Sequence, residues 1–128
     1  MPFTDHLEAQ IMNKLFKGID FVQPTEWWVG LFVAQPDEIE PNFEVSGNNY
    51  ARVKCNFDVR TGQTAAWNTE LVQYVVATGE WGNITHIGLF DAQTGGNFLA
   101  YQALQTPKYV STGDEVRFGV DQLRVTLE

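Results

Sequence analysis

Two histidines, one cysteine and sixteen carboxylates are the groups in this chain that could carry chemistry. His86 stands in Thr85-His86-Ile87-Gly88, a strand-like run. A catalytic triad would need a nucleophile, this histidine and an orienting carboxylate to converge. No G-x-S-x-G elbow is present, and a single strand histidine reads better as a cross-strand hydrogen-bonding residue. His6, beside Asp5, reads as a solvated residue at a helix start. A pair of carboxylates could cut a glycosidic bond, with Glu70, Glu80, Asp91 and Asp114 as candidates. Asp91 and Asp114 fall where turns are expected, and Asp commonly bonds turn backbone. Glu80 beside Trp81 could form a sugar-binding corner, but a Trp anchoring a loop to the core is the favoured reading. The acidic stretch 37–44 could hold calcium, since hard cations take clustered oxygens. It lacks the D-x-[DN]-x-[DN]-G spacing, and Ile39, Pro41 and Phe43 interleave with the acids. A solvated or partner-facing loop is the better reading. Cys55 stands alone, which excludes an intramolecular disulfide and a cysteine zinc site; it reads as a small packed strand residue. No phosphate-binding loop or dinucleotide fingerprint is present. The expectation is a protein without catalytic residues, metal or cofactor, and so not an enzyme.

The balance of charge narrows the partners. Sixteen Asp and Glu face eight Lys and Arg, a net charge of −8. Such a surface repels phosphate backbones and anionic membranes, so neither nucleic acid nor membrane is expected as a partner. It suits a soluble protein, or one that meets a basic partner surface. With 128 residues the chain is expected to be one domain, 1–128, large enough to bury a core without staples. No basic start followed by an apolar core marks a signal peptide, and no apolar run approaches a membrane span. Synthesis in a cytoplasm is expected. Four Trp in so small a domain suggest rings that serve contacts with other chains.

The elements that must position these groups are mostly strands. Residues 29–35 read Val-Gly-Leu-Phe-Val-Ala-Gln and residues 87–93 read Ile-Gly-Leu-Phe-Asp-Ala-Gln, identical at five of seven positions. Alternating β-branched and aromatic residues predict two matching core strands, and an internal Gly predicts a bulge or a close backbone approach. Further strands are expected at 27–34, 50–59, around 65–68 and 70–76, at 84–91, 98–104, 115–119 and 122–127, with a short edge segment at 107–110. In the last, Leu123, Val125 and Leu127 alternate with polar residues. Turns are expected at 46–49, 60–63, 77–82, 93–97 and 111–114, and the 93–97 connection marks the clearest hairpin. Before them, 5–17 predicts an amphipathic helix. Asp5 and Glu8 suit a capping box, Leu7, Ile11, Leu15 and Phe16 form one stripe, and Gly18 ends it. That stripe must pack on the β body or on a neighbouring chain, the first being favoured. The fold class is all-β: an antiparallel β-sandwich, jelly-roll-like, of about eight or nine short strands with one N-terminal helix.

The run from Gly79-Glu80-Trp81-Gly82-Asn83-Ile84-Thr85-His86 through Ile87-Gly88-Leu89-Phe90-Asp91-Ala92-Gln93-Thr94-Gly95-Gly96-Asn97 resembles a family of small tailed-bacteriophage virion structural proteins. Members are often labelled phage tail fibre proteins. The resemblance continues through Thr106-Pro107-Lys108, Gly113-Asp114, Phe118 and Leu123-Arg124-Val125-Thr126-Leu127, and covers Trp28 to Phe32, Glu44 to Gly47 and Tyr50-Ala51-Arg52 at the front. It implies a virion component, assembled in the host bacterial cytoplasm. A fibre shaft would need repeats, a collagen-like run or coiled-coil heptads, and none is encoded. The expected role is therefore a capsid cement or decoration protein that binds the major capsid protein and stabilises the head shell. The alternative is a tail fibre or receptor-binding module attached to tail proteins. A homo-oligomer, dimer or trimer, is expected. The expected interface combines Trp27, Trp67 and Trp81 as aromatic anchors with Asp37, Glu38 and Glu40 as an acidic rim. The loop after the first strand is more acidic than in relatives and carries Pro36 and Pro41, which suits a particular partner.

Overall fold

The computed structural model describes residues 1, 3–21, 23–60, 62 and 64–126. Among these residues a helix α1 (Asp5–Lys17) precedes nine strands: β1 (Trp28–Phe32), β2 (Val53–Lys54), β3 (Phe57–Val59), β4 (Ala65–Asn68), β5 (Val72–Gln73), β6 (Gly82–Phe90), β7 (Phe98–Val110), β8 (Arg117–Phe118) and β9 (Arg124–Thr126). The strands form three antiparallel sheets, ordered β2-β1-β6-β7, β3-β4-β9 and β5-β8. The class is all-β with one N-terminal helix, as expected.

The repeat explains the largest sheet. Its two copies lie side by side, β1 antiparallel to β6, with Gly30 opposite Gly88. A local two-fold axis between those glycines carries one copy onto the other. Residues opposite each other in an antiparallel pair share a face. Val29 and Leu31 therefore join Ile87 and Leu89 on one side, buried in the main core with residues of the other two sheets. Trp28, Phe32 and Phe90 share the other side with the glycines. There Phe32, Phe90, Phe98 and Tyr101 make a second buried cluster, with ring centroids of successive pairs 5.1 to 6.1 Å apart. A Cβ on Gly88 would stand 2.5 Å from Phe32 and 2.9 Å from Phe98. One on Gly30 would stand 3.0 Å from Phe90 and 2.8 Å from the Glu44 carboxylate. Each Phe thus leans over the other copy's Gly, and that is the close approach the internal glycines predict.

Several boundaries differ from the sequence pattern. The expected strand 50–59 is two strands in two sheets, β2 and β3. The chain changes sheet at Cys55 and Asn56: the Cys55 N–H donates to Trp27 O, whereas Asn56 O accepts the Thr69 N–H. The segments 98–104 and 107–110 are one strand, β7, with a register shift between Ile84–Lys108 and His86–Ala103. Pro107, which has no N–H to donate, sits in that irregularity on an edge strand. Leu127, and Thr61 and Gln63 of the expected turn, lie outside the described residues.

The helix spans the expected residues and ends at Gly18, whose φ of 66° is left-handed. Its N-cap is Thr4 rather than Asp5, and no capping box forms. The buried Thr4 hydroxyl donates instead to the Phe98 and Leu99 carbonyls of β7, at 2.5 and 3.1 Å. Leu7 packs on the core, but Leu15 and Phe16 are 69% and 72% exposed. The expected single stripe therefore covers the β body only at its start. Replacing Gly88 with Ala forces a methyl into the Phe32 and Phe98 rings. Overpacking of this kind costs about 1–3 kcal/mol. Urea denaturation should show that loss for Gly88→Ala, and a smaller one for Ala at Gly119, where an added Cβ meets nothing nearer than the flexible Gln122 side chain at 3.3 Å.

Candidate interaction surface

Of the groups that could do chemistry, His86, Asp91, Asp114 and Glu70 are occupied locally, and Glu80 is exposed. The His86 Nδ1 lies 2.8 Å from the Thr85 hydroxyl, and burial lowers its pKa below the usual value. Asp91 accepts from the Asn97 N–H at 2.6 Å and closes the hairpin. Asp114 accepts from the Ser111 N–H and hydroxyl and closes its turn. Glu70 accepts from the Asn56 N–H where the chain changes sheet. Among the described residues, no three His, Cys, Asp or Glu side chains gather as a metal-holding group. Among them too, no helix is long and apolar enough to cross a membrane. Cys55 is fully buried, and burial pushes its thiol up to about 11.

The expected aromatic anchors separate. Trp81 is buried, edge-on to Tyr50 and Tyr74, and its indole N–H donates to Asn48 O at 2.9 Å. It is a core residue, which corrects its place among the interface anchors. The reason is local: its N–H ties the 77–82 loop to the 46–49 turn. Trp27 is half-buried against the core. Trp67 is half-buried, its ring covered by the Arg60 and Arg124 guanidiniums at 4.5 and 5.3 Å.

The acidic residues Asp37, Glu38 and Glu40 are exposed and held in a built loop. Asp37 accepts the Ile39 N–H at 2.8 Å, and the Asp37 N–H donates to the Asn42 side chain at 2.9 Å. Glu38 O accepts the Asp5 N–H, which joins the loop to the first turn of α1. The Tyr101 hydroxyl donates to the Glu38 carboxylate at 3.2 Å; burial, then that neighbouring charge, raises its pKa. Phe43 adopts a φ of 69°, an uncommon conformation for a bulky residue, and is 55% exposed. Between loop and helix start lies an open groove of about 570 Å³, lined by Asp5, Asp37, Glu38, Ile39, Phe43 and Tyr101 among others.

A buried ion pair fixes the far end of this loop. Arg52 meets Glu44 with two parallel bonds, Nε to Oε2 and Nη2 to Oε1, both 2.8 Å. Its Nη1 donates to Ala92 O and Gly95 O in the hairpin, and its guanidinium lies 3.4 Å over the Phe90 ring. Tyr50 donates to Glu44 at 2.7 Å while accepting the Leu31 N–H, so its hydroxyl serves as a missing strand partner for β1. Burial, then the Glu44 charge, holds that phenol well above the usual tyrosine range.

Beside the loop stands the outer face of α1. Asp5, Glu8, Met12, Leu15 and Phe16 recur at helical spacing and all are exposed. Met12 is 53% exposed, and the following Ile19 and Phe21 continue the apolar surface. This second stripe was legible: Met12, Leu15 and Phe16 stand at i, i+3 and i+4, rotated from Leu7 and Ile11. The described helix is apolar over more of its circumference than one contact with β7 needs.

Residues 2–126 match the family model described as Podophage GP4 fiber I protein gp80. No curated protein matches the chain.

Two outcomes follow from the geometry. Arg52→Met strands a carboxylate that is 18% exposed, and loss of one partner of a buried pair costs about 3–5 kcal/mol. Chemical denaturation measures it. For Cys55, a folded pKa near 11 against 9.0 means that its contribution to stability is full below pH 9 and is lost as pH rises toward 11, and the raised Tyr50 and Tyr74 phenols add to the fall above pH 10. Melting scans across that window should show the fall. A thiol reagent at pH 8 should modify Cys55 only in denaturant.

Proposed function

Because the chain belongs to the podophage GP4 fiber I protein gp80 family, we propose that it is a non-enzymatic structural subunit of the tail-fibre apparatus, attached through the outer face of α1 and the acidic loop. As a member of that family it is a bacteriophage virion component. The description of the family favours the fibre role over the capsid cement role that the missing shaft suggests.

One observation carries the attachment surface. Met12, Leu15 and Phe16 stand exposed together on one helix face at 53%, 69% and 72%; Ile39, Phe43, Val59, Val75 and others are exposed too, but Leu15 and Phe16 are among the most exposed and lie one turn or less from Met12 on the same face. Fully burying a residue of this kind gains roughly 1.5–3 kcal/mol, so water is a poor environment for three of them together. A virion is an assembly, and another of its proteins would cover them. The chemistry-bearing side chains support a structural role, because Asp91, Asp114 and Glu70 each hold backbone in place.

Cryo-EM of purified virions, with quantitative gel densitometry, tests the role. The expected result is on the order of tens of copies or fewer, confined to the tail, as fits a closed symmetric assembly there. Hundreds of copies spread over the head would overturn the fibre reading in favour of cement.

A further inference from the structure

We infer that the occupant of this face is a segment of another virion protein, bearing Lys or Arg at one end and apolar residues along the rest. The inference rests on the attachment role just proposed and adds the partner's chemistry. The outer face of α1 changes character along its length. Its first turn presents Asp5 and Glu8, and its last turns present Met12, Leu15 and Phe16. The acidic end is extended by Asp37, Glu38 and Glu40, because the Asp5 N–H to Glu38 O bond places that loop against the helix start. Five exposed carboxylates thus border one end of an apolar strip. The groove between them, about 570 Å³ and open to solvent, has room for a long basic side chain. There its head would meet Asp37 and Glu38, with the exposed Phe43 ring available for a cation–π contact.

Charge complementarity selects this occupant over a second copy of the chain. Two copies would bring together bodies of net charge −8 each, and their acidic ends are alike. An antiparallel pairing of two α1 helices would offer each acidic end only Lys14 and Lys17. Lys14 is already paired with Asp20 at 2.5 Å, which leaves Lys17 against five carboxylates. An apolar segment without cations would cover Leu15 and Phe16 but leave the carboxylates desolvated beside it. Apolar anchors with a basic end satisfy both halves of the face.

The test uses phage carrying altered genes together with the purified protein. Leu15→Asp/Phe16→Asp removes the apolar half, and Asp37→Lys/Glu38→Lys/Glu40→Lys reverses the acidic half. Leu15 and Phe16 are exposed, so the first variant should keep the wild-type melting temperature; the second loses the Asp37–Ile39 and Glu38–Tyr101 bonds of the loop and should melt slightly lower, whereas the Asn/Gln/Gln version keeps an acceptor at each position. Each should lower the copies per virion by roughly tenfold or more, and the Asn/Gln/Gln version of the loop by less. The purified wild-type protein should sediment as a monomer. A wild-type dimer abolished by the Leu15/Phe16 variant would give the face to a second copy. Normal incorporation of the Leu15/Phe16 variant would show that nothing docks there. Normal incorporation of the charge-reversed loop would rule out a basic partner. If a variant fails to fold, release of the wild-type protein from virions in rising NaCl decides. Charge-paired contacts loosen with salt and purely apolar ones tighten. Location of the wild-type protein on the tail tests the fibre role separately from all of these.

Discussion

The absence of two β-carbons organises this molecule. Gly30 and Gly88 face each other in the central strand pair, and the rings of Phe90 and Phe32 occupy the space their side chains would fill. Everything on that side of the sheet is positioned from there. Phe90 carries the Arg52 guanidinium on its face, Arg52 holds Glu44, and Arg52 also holds the hairpin carbonyls of Ala92 and Gly95. Glu44 ends the acidic loop. A sequence of contacts therefore runs from two glycines to the orientation of Asp37, Glu38 and Glu40.

The Arg52–Glu44 pair is better understood as a locator than as a source of stability. Taking both charges out of water costs several kcal/mol, which their attraction and added hydrogen bonds roughly offset. What the pair supplies is geometry. The planar guanidinium accepts only one arrangement of the carboxylate and the two hairpin carbonyls. Tyr50 adds a further constraint, since its hydroxyl must meet both Glu44 and the Leu31 N–H. The loop and β1 are thereby held in one arrangement with the β6–β7 hairpin, some forty residues further along the chain.

Local pattern made much of this readable. The helix, the repeat, the 93–97 hairpin and the turn glycines follow from spacing and backbone preference, which the chain carries residue by residue. The split of 50–59 was not readable, because an unbroken strand pattern does not say that Trp27 and Thr69 compete for backbone bonds on either side of Cys55. Trp81 was ambiguous for a similar reason: a Trp in a Gly-rich loop faces inward or outward according to where Asn48 O lies. The cap was misassigned because Thr4 and Asp5 are both good N-caps, and only the position of β7 decides that Thr4 bonds Phe98 and Leu99. Of the surface, the exposure of Asp37, Glu38 and Glu40 was legible and the orientation of the helix was not.

That orientation follows from where the helix is tied. One face of the central sheet is covered by the main core and the other carries the phenylalanine cluster. The helix leans on the edge strand β7, fastened there by Thr4, while Leu7 packs on the main core. An amphipathic helix tied to an edge by its first turn must leave its far half uncovered, whatever residues stand there. With polar residues it would be an inert appendage. With Met12, Leu15 and Phe16 it becomes a surface whose burial gains free energy only through another chain. The same strand-edge docking that completes the fold thus leaves Met12, Leu15 and Phe16 in water.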